Sequence, residues 1–431
     1  MTKLHIWLFV LLLSGIKISV RAQIVNLAWQ RCLGGMETEY GEAICRGFSS
    51  DYYIVSTTTS DDGDLTETFG VFDMWVTRLS DAGDLLWQKS IGGSGEDYPE
   101  SIIRTIDSCI VFCGHSSSSD GLIDTNFGLG DIVVIKLDTL GNILWQTVIN
   151  GSQDERAYKI LQTSDKGFII TGVSHSNDGL FIDHIGSTEY GDMVVVKLNS
   201  LGVVEWSKSF GSNRDDAGRQ VIETTDGNFI IAGNKWGGFD LESQYYITKI
   251  SLTGDIIWEQ TYGGSDFDQA YTIVEISPGR YLVSGEAYSS DGDVYGAHGS
   301  RDAWTLLLDG SGELVWSRSY GGSGADYGFE LTMYNINTFI ISGATTSPNN
   351  GDVDGFHGGG PVGDMWVLGV DSSSIIQWQR CLGGTGHDQA SEAIVDGSEI
   401  TIAGYTSSND GDVIGIHGGP PYMYDAWVVK L

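Results

Sequence analysis

The sequence has few basic residues and few prolines. It contains 23 Lys and Arg against 57 Asp and Glu, which gives a formal net charge of −34. A chain this acidic lacks the positive surface that nucleic acids and anionic membranes attract, so cations, basic partners or neutral ligands suit it better. Proline occurs 6 times and glycine 60 times, a composition typical of many tight connections between short strands.

Long apolar runs are also missing, apart from one near the start. Residues 1–22 combine Lys3 with an apolar run from Ile6 to Leu13 and small residues before Ala22. This pattern predicts a secretory signal peptide, because the run is too short for a transmembrane helix. We therefore expect a secreted or cell-surface protein without a membrane span, whose mature part covers residues 23–431.

The remaining chain lacks apolar residues at helical spacing and instead repeats one pattern. A strand that carries tryptophan occurs seven times, at Trp29, Trp87, Trp145, Trp206, Trp258, Trp316 and Trp378. Each repeat reads as four short strands, named A to D, as in "ESIIRTI", "CIVFCGHS", "DIVVIKLD" and "NILWQTV". Four-stranded units repeated radially predict a β-propeller.

The phase of the repeat predicts how the ring closes. The mature chain opens on a D-type strand, "VNLAWQRCL", and ends on a C-type strand, "DAWVVKL". The last repeat lacks its own strand D, and pairing the two termini would leave no open edge at the seam. We predict one all-β domain over 23–431, a seven-bladed propeller of four-stranded antiparallel blades. The N-terminal strand would complete the last blade and place Trp29 beside Trp427.

The run "KLDTLGNILWQ" at 136–146 resembles the tryptophan motif of PQQ-like propeller repeats. "RLSDAGDLLWQ", "KLNSLGVVEWS" and "KISLTGDIIWE" share its spacing from Gly to Trp. The whole repeat is also similar to repeat propellers of secreted and cell-surface bacterial proteins. The resemblance implies the propeller fold over residues 24–431 and assigns no activity.

Acidic residues recur at the sixth position of every Gly-rich loop between strands D and A. We call them the ring carboxylates: Glu39, Asp97, Glu155, Asp216, Asp268, Asp326 and Asp388. Because strand A is the innermost strand, they are expected around one mouth of the central channel. They could bind cations or basic groups there, but carboxylates that accept backbone N–H bonds within their loops would give the same pattern, and repetition in every blade favours this second role.

A second acidic pattern lies in the loops between strands B and C. "DGD" or "NGD" motifs place carboxylates at Asp62, Asp64, Asp291, Asp293, Asp352, Asp410 and Asp412. Alternate oxygen ligands around glycine suit Ca²⁺, although no loop completes an EF-hand, and an ordinary Asp-Gly turn is the alternative. His298, His357 and His417 follow in three of these loops; Phe69 and Phe127 share the column, which favours packing over metal binding.

Trp236 departs from the repeat. It lies where the fourth repeat has a shortened B–C segment, "NKWGGFDLESQYY", beside Tyr245 and Tyr246. An indole at such a position could stack on a sugar ring or fill the space that the deletion leaves.

The sequence carries no G-x-S-x-G, P-loop or H-E-x-x-H motif and no adjacent cysteines. We therefore favour a non-catalytic exported protein that binds an extracellular glycan or protein through its Asp/Gly-rich loops, with Ca²⁺ as the suggested cofactor. A glycosidase-like enzyme with carboxylates at the channel mouth is the first alternative, and a structural surface spacer is the second.

Overall fold

A computed structural model describes residues 26–123, 126–236, 242–358, 362–418 and 423–431. These residues form seven antiparallel sheets of four strands and contain no helix. The predicted all-β seven-bladed propeller is therefore confirmed. The described residues accordingly offer no helix with the length and apolarity to span a membrane. The predicted signal peptide lies outside them.

We number the blades in chain order. Blade 1 contains β2 to β5, and blade 7 takes its outer strand, β1, from the N-terminus. Within each blade the strands are given from the innermost, A, to the outermost, D. Blades 1 to 3 contain, in turn, β2 (Glu39–Arg46), β3 (Tyr52–Thr58), β4 (Asp73–Leu79) and β5 (Leu85–Ile91); β6 (Asp97–Arg104), β7 (Ile110–Ser116), β8 (Asp131–Leu137) and β9 (Ile143–Ile149); and β10 (Glu155–Gln162), β11 (Phe168–Ser174), β12 (Asp192–Leu198) and β13 (Val204–Phe210).

Blades 4 to 7 follow the same order. They contain, in turn, β14 (Ala217–Glu223), β15 (Phe229–Trp236), β16 (Ser243–Ile250) and β17 (Ile256–Tyr262); β18 (Asp268–Ser277), β19 (Arg280–Ala287), β20 (Asp302–Asp309) and β21 (Leu314–Tyr320); β22 (Asp326–Asn335), β23 (Thr338–Thr345), β24 (Asp364–Asp371) and β25 (Ile376–Leu382); and β26 (Asp388–Asp396), β27 (Glu399–Thr406), β28 (Asp425–Lys430) and β1 (Trp29–Leu33).

The seam lies in blade 7, where β1 pairs with β28. Trp29 lies opposite Lys430 and Cys32 lies opposite Trp427. Trp427 Nε1 also donates to Gln30 Oε1 at 2.8 Å, so a side-chain bond joins the two ends of the chain. The N-terminal strand thus supplies the missing strand D, as the phase of the repeat predicts.

The strand D tryptophans connect neighbouring blades. Trp29 Nε1 donates to the carbonyl of Asp81 at 3.0 Å, in the C–D turn of the next blade, and its ring covers Gly83 of that turn. Gly83 has φ of 84°, a conformation that side chains rarely adopt, and a Cβ there would lie 3.0 Å from the indole. The Gly and the Trp of the repeated motif therefore meet between blades: the tryptophan of one blade covers the glycine in the C–D turn of the next.

Apolar side chains from adjacent blades share clusters between the sheets. One such cluster joins Tyr53 and Val76 of blade 1 to Phe112 and Ile135 of blade 2, all fully buried. Burial of this kind at every blade interface stabilises the ring. It leaves the innermost strand, A, to line the central channel.

Each strand A contains a β-bulge three residues after its ring carboxylate. In β2 the register passes from Gly41 to Ala43 and leaves Glu42 without a partner in β3. The same shift leaves Glu100, Tyr158, Arg219, Tyr271, Phe329 and Ser391 unpaired in the other blades. A bulge bends its strand and redirects the extra side chain.

Candidate functional site: the central funnel

All seven bulged residues line one cavity at the centre of the ring. We call it the inner cavity; it has a volume of about 200 Å³, and Lys159, Gln220, Glu330, Gln389 and Glu392 complete its lining. The repeat gives these positions a common backbone, but the side chains differ from blade to blade. The channel therefore has an asymmetric lining, as a site for one specific ligand requires.

Aromatic rings and a guanidinium form one wall of the inner cavity. Arg219 lies 4.1 Å above the ring of Tyr158 and 5.9 Å from that of Tyr271. With the Gln269 amide turned to present its oxygen, Arg219 Nε and Nη2 both donate to it at 2.8 Å. Phe329 contacts Tyr271 with ring centroids 5.2 Å apart. Flat, held rings of this kind provide a stacking surface.

Lys159 spans the floor of the inner cavity. It belongs to blade 3, yet its Nζ lies 2.5 Å from Glu392 Oε1 of blade 7 and 4.0 Å from Glu330 Oε2 of blade 6. The side chains of Lys159 and Glu392 are 17% and 13% exposed. Glu392 Oε2 additionally accepts the backbone N–H of Ile44 at 2.9 Å, which joins blade 7 to blade 1.

Glu42 and Glu100 occupy the wall opposite Arg219. Burial and the repulsion from Glu100 raise the pKa of Glu42, while Thr57 Oγ1 donates to its carboxylate at 3.4 Å. Burial also raises the pKa of Glu100, although Arg219 opposes this. Two neighbouring carboxyl groups in one cavity disfavour double ionisation, so they share protons near neutral pH.

Two outer cavities connect the inner cavity to the face that carries the D–A and B–C loops. One, of about 490 Å³, shares Tyr158 and Arg219 with it and reaches His175 and Phe267. The other, of about 290 Å³, shares Glu100 and reaches Tyr98 and His115. We call the three cavities together the funnel. Its size and its mixed aromatic and polar lining are those of a ligand site.

The ring carboxylates lie at the rim of this channel but point into their own loops. All seven are 0–1% exposed. Asp97 is typical: Gly93 N and Ser118 Oγ donate to its Oδ2 at 2.9 and 2.8 Å, and Ser116 donates to Oδ1. The same contacts recur around Glu39, Glu155, Asp268, Asp326 and Asp388, and Asp216 accepts from Ser212 and Trp236. These bonds correspond to the loop-fastening role rather than to an exposed collar.

Burial raises the pKa of every ring carboxylate, to about 6 for Asp268. Six of them also face the aspartate that begins strand C of the preceding blade, as Asp97 faces Asp73. The second oxygen of that aspartate is buried without a hydrogen-bond partner among the described residues, and the same holds for Asp131, Asp192, Asp302, Asp364 and Asp425.

The aspartates of the "DGD" loops form further loop-to-loop bonds. Asp62, Asp291 and Asp410 each accept a backbone N–H from the D–A loop of their own blade, at 2.7 to 2.8 Å. Asp64, Asp352 and Asp412 lie 3.7 to 3.9 Å from Arg31, Arg318 and Arg380, and Asp293 accepts from Gly263 N at 3.3 Å. In the described part of the chain no three His, Cys, Asp or Glu side chains converge to hold a metal. In this structure the "DGD" aspartates join neighbouring loops, and the Ca²⁺ site that the sequence suggests stays a prediction.

The three loop histidines are not brought together. His357 Nδ1 and His417 Nδ1 lie 2.9 and 2.7 Å from the aspartates of their own blades, Asp364 and Asp425. His298 lies 3.8 Å from Asp302 in the same way. His417 Nε2 also lies 3.7 Å from Asp64 of blade 1. The three imidazoles therefore contact aspartates, one of them across the seam, and do not contact one another.

Trp236 ends β15 rather than lying within a loop. It pairs with Ser243, and the guanidinium of Arg214 lies 5.6 Å from its ring. Arg214 also donates to the Tyr190 hydroxyl at 2.9 Å. Trp236 is half-buried, and Asn234, two residues before it, lines the larger outer cavity.

Sequence reasoning missed the bulged residues, which are the functional candidates. A signal was present: the residue two positions after each ring carboxylate is small or proline, whereas the residue three positions after it varies from Glu to Arg, Tyr, Phe and Ser. Variation at one column of an otherwise regular repeat is the asymmetry that a specific site needs. The pattern did not reveal which way the extra side chain points, because that depends on the bulge.

Comparison with known proteins reveals likeness of fold alone. No protein-family profile matches the chain, and no curated protein matches it by sequence. Among solved structures, the WD40 domain of Neurospora crassa Pan2 is similar at 9% identity, over 93% of this chain and 95% of that one, with a TM-score of 0.48.

Two further similar structures are propellers of other kinds. BamB from Moraxella catarrhalis matches at 14% identity over 94% of this chain and 88% of its own, with a TM-score of 0.39. The PQQ-bound aldose sugar dehydrogenase from Streptomyces coelicolor matches at 13% identity over 80% and 96%, with a TM-score of 0.39. At these identities the likeness extends to the propeller architecture and carries no function.

Proposed function

We propose that this protein is an exported, non-catalytic β-propeller that binds an extracellular glycan in the funnel. The observation that carries the proposal is the asymmetric ring of bulged residues, in which Tyr158, Tyr271 and Phe329 offer aromatic surface beside charged and amide groups. A sugar ring has apolar C–H faces and a rim of hydroxyls, so it suits such a mixture of stacking and hydrogen-bonding groups.

The position of the funnel supports the same use. Its opening lies on the loop face, and the net charge of −34 favours neutral or basic ligands over anionic ones. Export follows from the predicted signal peptide, and a glycan is then among the ligands within reach. The "DGD" aspartates would act by fixing the loops around the opening.

The test is a glycan-array screen of the exported protein, followed by calorimetric titration of each ligand. Tyr158→Ala should weaken binding about tenfold or more, because truncating a buried aromatic contact costs over 1 kcal/mol. Tyr295→Ala is the matched control, since Tyr295 is 76% exposed outside the funnel. Equal affinities for both variants would refute the funnel as the site, and a protein ligand without any glycan ligand would refute the glycan class.

Glu42 and Glu100 support one alternative, a glycosidase-like activity. A carboxyl group with a raised pKa beside a second carboxyl group is the pairing that such enzymes use. Incubating each array ligand with the protein and measuring reducing ends decides between the two. Reducing ends that the wild-type protein releases and Glu100→Gln does not would establish the enzyme. Glycan that stays intact after prolonged incubation would support binding without catalysis.

A further inference from the structure

The inner cavity carries an imbalance of charge. Four glutamates line it against two basic side chains, Lys159 and Arg219. Lys159 is already engaged by Glu392 and Glu330 at the floor. The remaining two glutamates, Glu42 and Glu100, therefore either carry the excess negative charge or hold protons.

Neither of these two glutamates has a cationic partner among the described residues. Glu42 forms no ion pair there, and Glu100 approaches only His115, whose Nδ1 lies 3.9 Å away. Burial lowers the pKa of His115 to about 4, so its imidazole is neutral at pH 7. Arg219 and Arg156 act on Glu100 through space. The Arg219 guanidinium is held by Tyr158 and Gln269, and that of Arg156 pairs with Asp154 at 2.8 Å.

The other walls of the inner cavity also favour a cation. The rings of Tyr158, Tyr271 and Phe329 attract positive charge through their π faces. A protonated primary amine is compact and carries three donors, so it can serve two carboxylates and one further acceptor at once. A guanidinium or a metal ion is a poorer match, because the first is planar and the second needs more oxygen ligands than the cavity offers.

We propose that the inner cavity is an ammonium subsite, in which Glu42 and Glu100 receive the protonated amine of a non-acetylated amino sugar. This inference rests on the proposed function and names the class of glycan that the funnel binds. Binding would supply the counter-ion that the two carboxylates lack within the protein.

The experiment is calorimetric titration of the exported protein at pH 7 with an oligosaccharide of glucosamine and with its N-acetylated counterpart of equal length. We expect the free amine to bind about tenfold or more tightly, because charge-assisted hydrogen bonds replace neutral contacts. Glu42→Gln/Glu100→Gln should abolish that preference, whereas Glu313→Gln on the opposite face should keep it. Thermal melting of each variant checks that the fold is intact.

A second readout is the number of protons released. An ammonium group stabilises ionised carboxylates, so at about pH 5.5, where the free amine is already protonated, binding should release protons from Glu42 and Glu100. The release is measurable as different heats in two buffers of different ionisation enthalpy. The double variant should release none. Equal binding of both oligosaccharides without proton release would overturn the subsite and leave glycan binding intact. If neither oligosaccharide binds, while a lysine-rich peptide binds the wild-type protein and not the double variant, the glycan and the amino sugar are both overturned in favour of a protein ligand.

Discussion

Lys159 Nζ lies 2.5 Å from Glu392 Oε1, although the two residues belong to blades on opposite sides of the channel. The pair joins blade 3 directly to blade 7 across the channel. Glu330 of blade 6 lies 4.0 Å from the same ammonium. We call this group of three side chains, Lys159, Glu392 and Glu330, the strut. It connects blades across the centre of the propeller, in addition to the packing around its circumference.

Removing the cation of this strut should destabilise the protein. In Lys159→Met, Glu392 and Glu330 would lose the counter-ion that stabilises their ionised forms and would have to stay charged or take up protons, and we expect a loss of about 3 kcal/mol in the free energy of unfolding. Urea unfolding at pH 7 measures it. Lys166→Met, at a turn on the opposite face, should change stability by less than about 0.5 kcal/mol. A loss no larger than that of the control would contradict the strut.

The acid pair in the inner cavity should make stability depend on pH. Burial and mutual repulsion raise the pKa of Glu42 to about 8, and burial raises that of Glu100 to about 7. The folded state therefore binds more protons than the unfolded state, whose glutamates titrate near pH 4.5. The stability contributed by the protonated forms is complete below that value and is lost as pH rises through 7 and 8.

The measurement compares the wild-type protein with Glu42→Gln/Glu100→Gln in urea between pH 4 and 9. We expect the variant to lack most of the decline in stability above pH 6, because glutamine cannot ionise. Parallel curves for the two proteins would show that this pair does not titrate in the folded state as described.

The ring carboxylates should behave as structural groups. Asp326→Ala leaves Gly322 N, Ser347 Oγ and Thr345 Oγ1 without their acceptor, and we expect a loss of about 3 kcal/mol. Asp326→Asn keeps one acceptor oxygen and should lose less. Asp84→Ala, at an exposed turn, serves as the control. If Asp326→Asn abolishes ligand binding while its melting temperature is unchanged, the carboxylate has a role in binding after all.

Calcium gives a separate test of the "DGD" loops. The carboxylates of Asp62, Asp291 and Asp410 already accept backbone N–H groups, so we expect the same melting temperature in Ca²⁺ and in excess chelator. A specific cation bound to the folded state would raise the melting temperature with its concentration. Such a rise, absent in Asp291→Asn/Asp293→Asn, would restore the calcium site that the sequence suggests.

The architecture could be predicted because the same strand and turn pattern occurs in every repeat. The strand that carries tryptophan occurs seven times, and five of these tryptophans cover a Gly in the C–D turn of the next blade. The phase at Trp29 and Trp427 identifies the seam. The hydroxyl partners of the ring carboxylates were equally visible, as in Ser116 and Ser118 two residues apart at the end of strand B. Repetition averages out the ambiguity of any one segment.

The funnel could not be predicted in the same way. Its lining depends on a bulge that displaces one residue per blade, and the side chains at that column do not repeat. The contact between Lys159 and Glu392 also joins residues far apart in the sequence, without any local pattern that pairs them. Long-range electrostatic contacts of this kind become visible only when the ring is assembled in three dimensions.

The bulge in each strand A has a consequence for how such a protein can change its specificity. Glu42, Glu100 and their five counterparts take no part in the hydrogen-bonded ladder, so replacing one of them leaves the register of its blade intact. The ring thus separates two tasks: regular positions encode the shape, and seven exchangeable positions encode the chemistry of the channel. A library varied at those seven sites alone would sample many ligands on one unaltered scaffold.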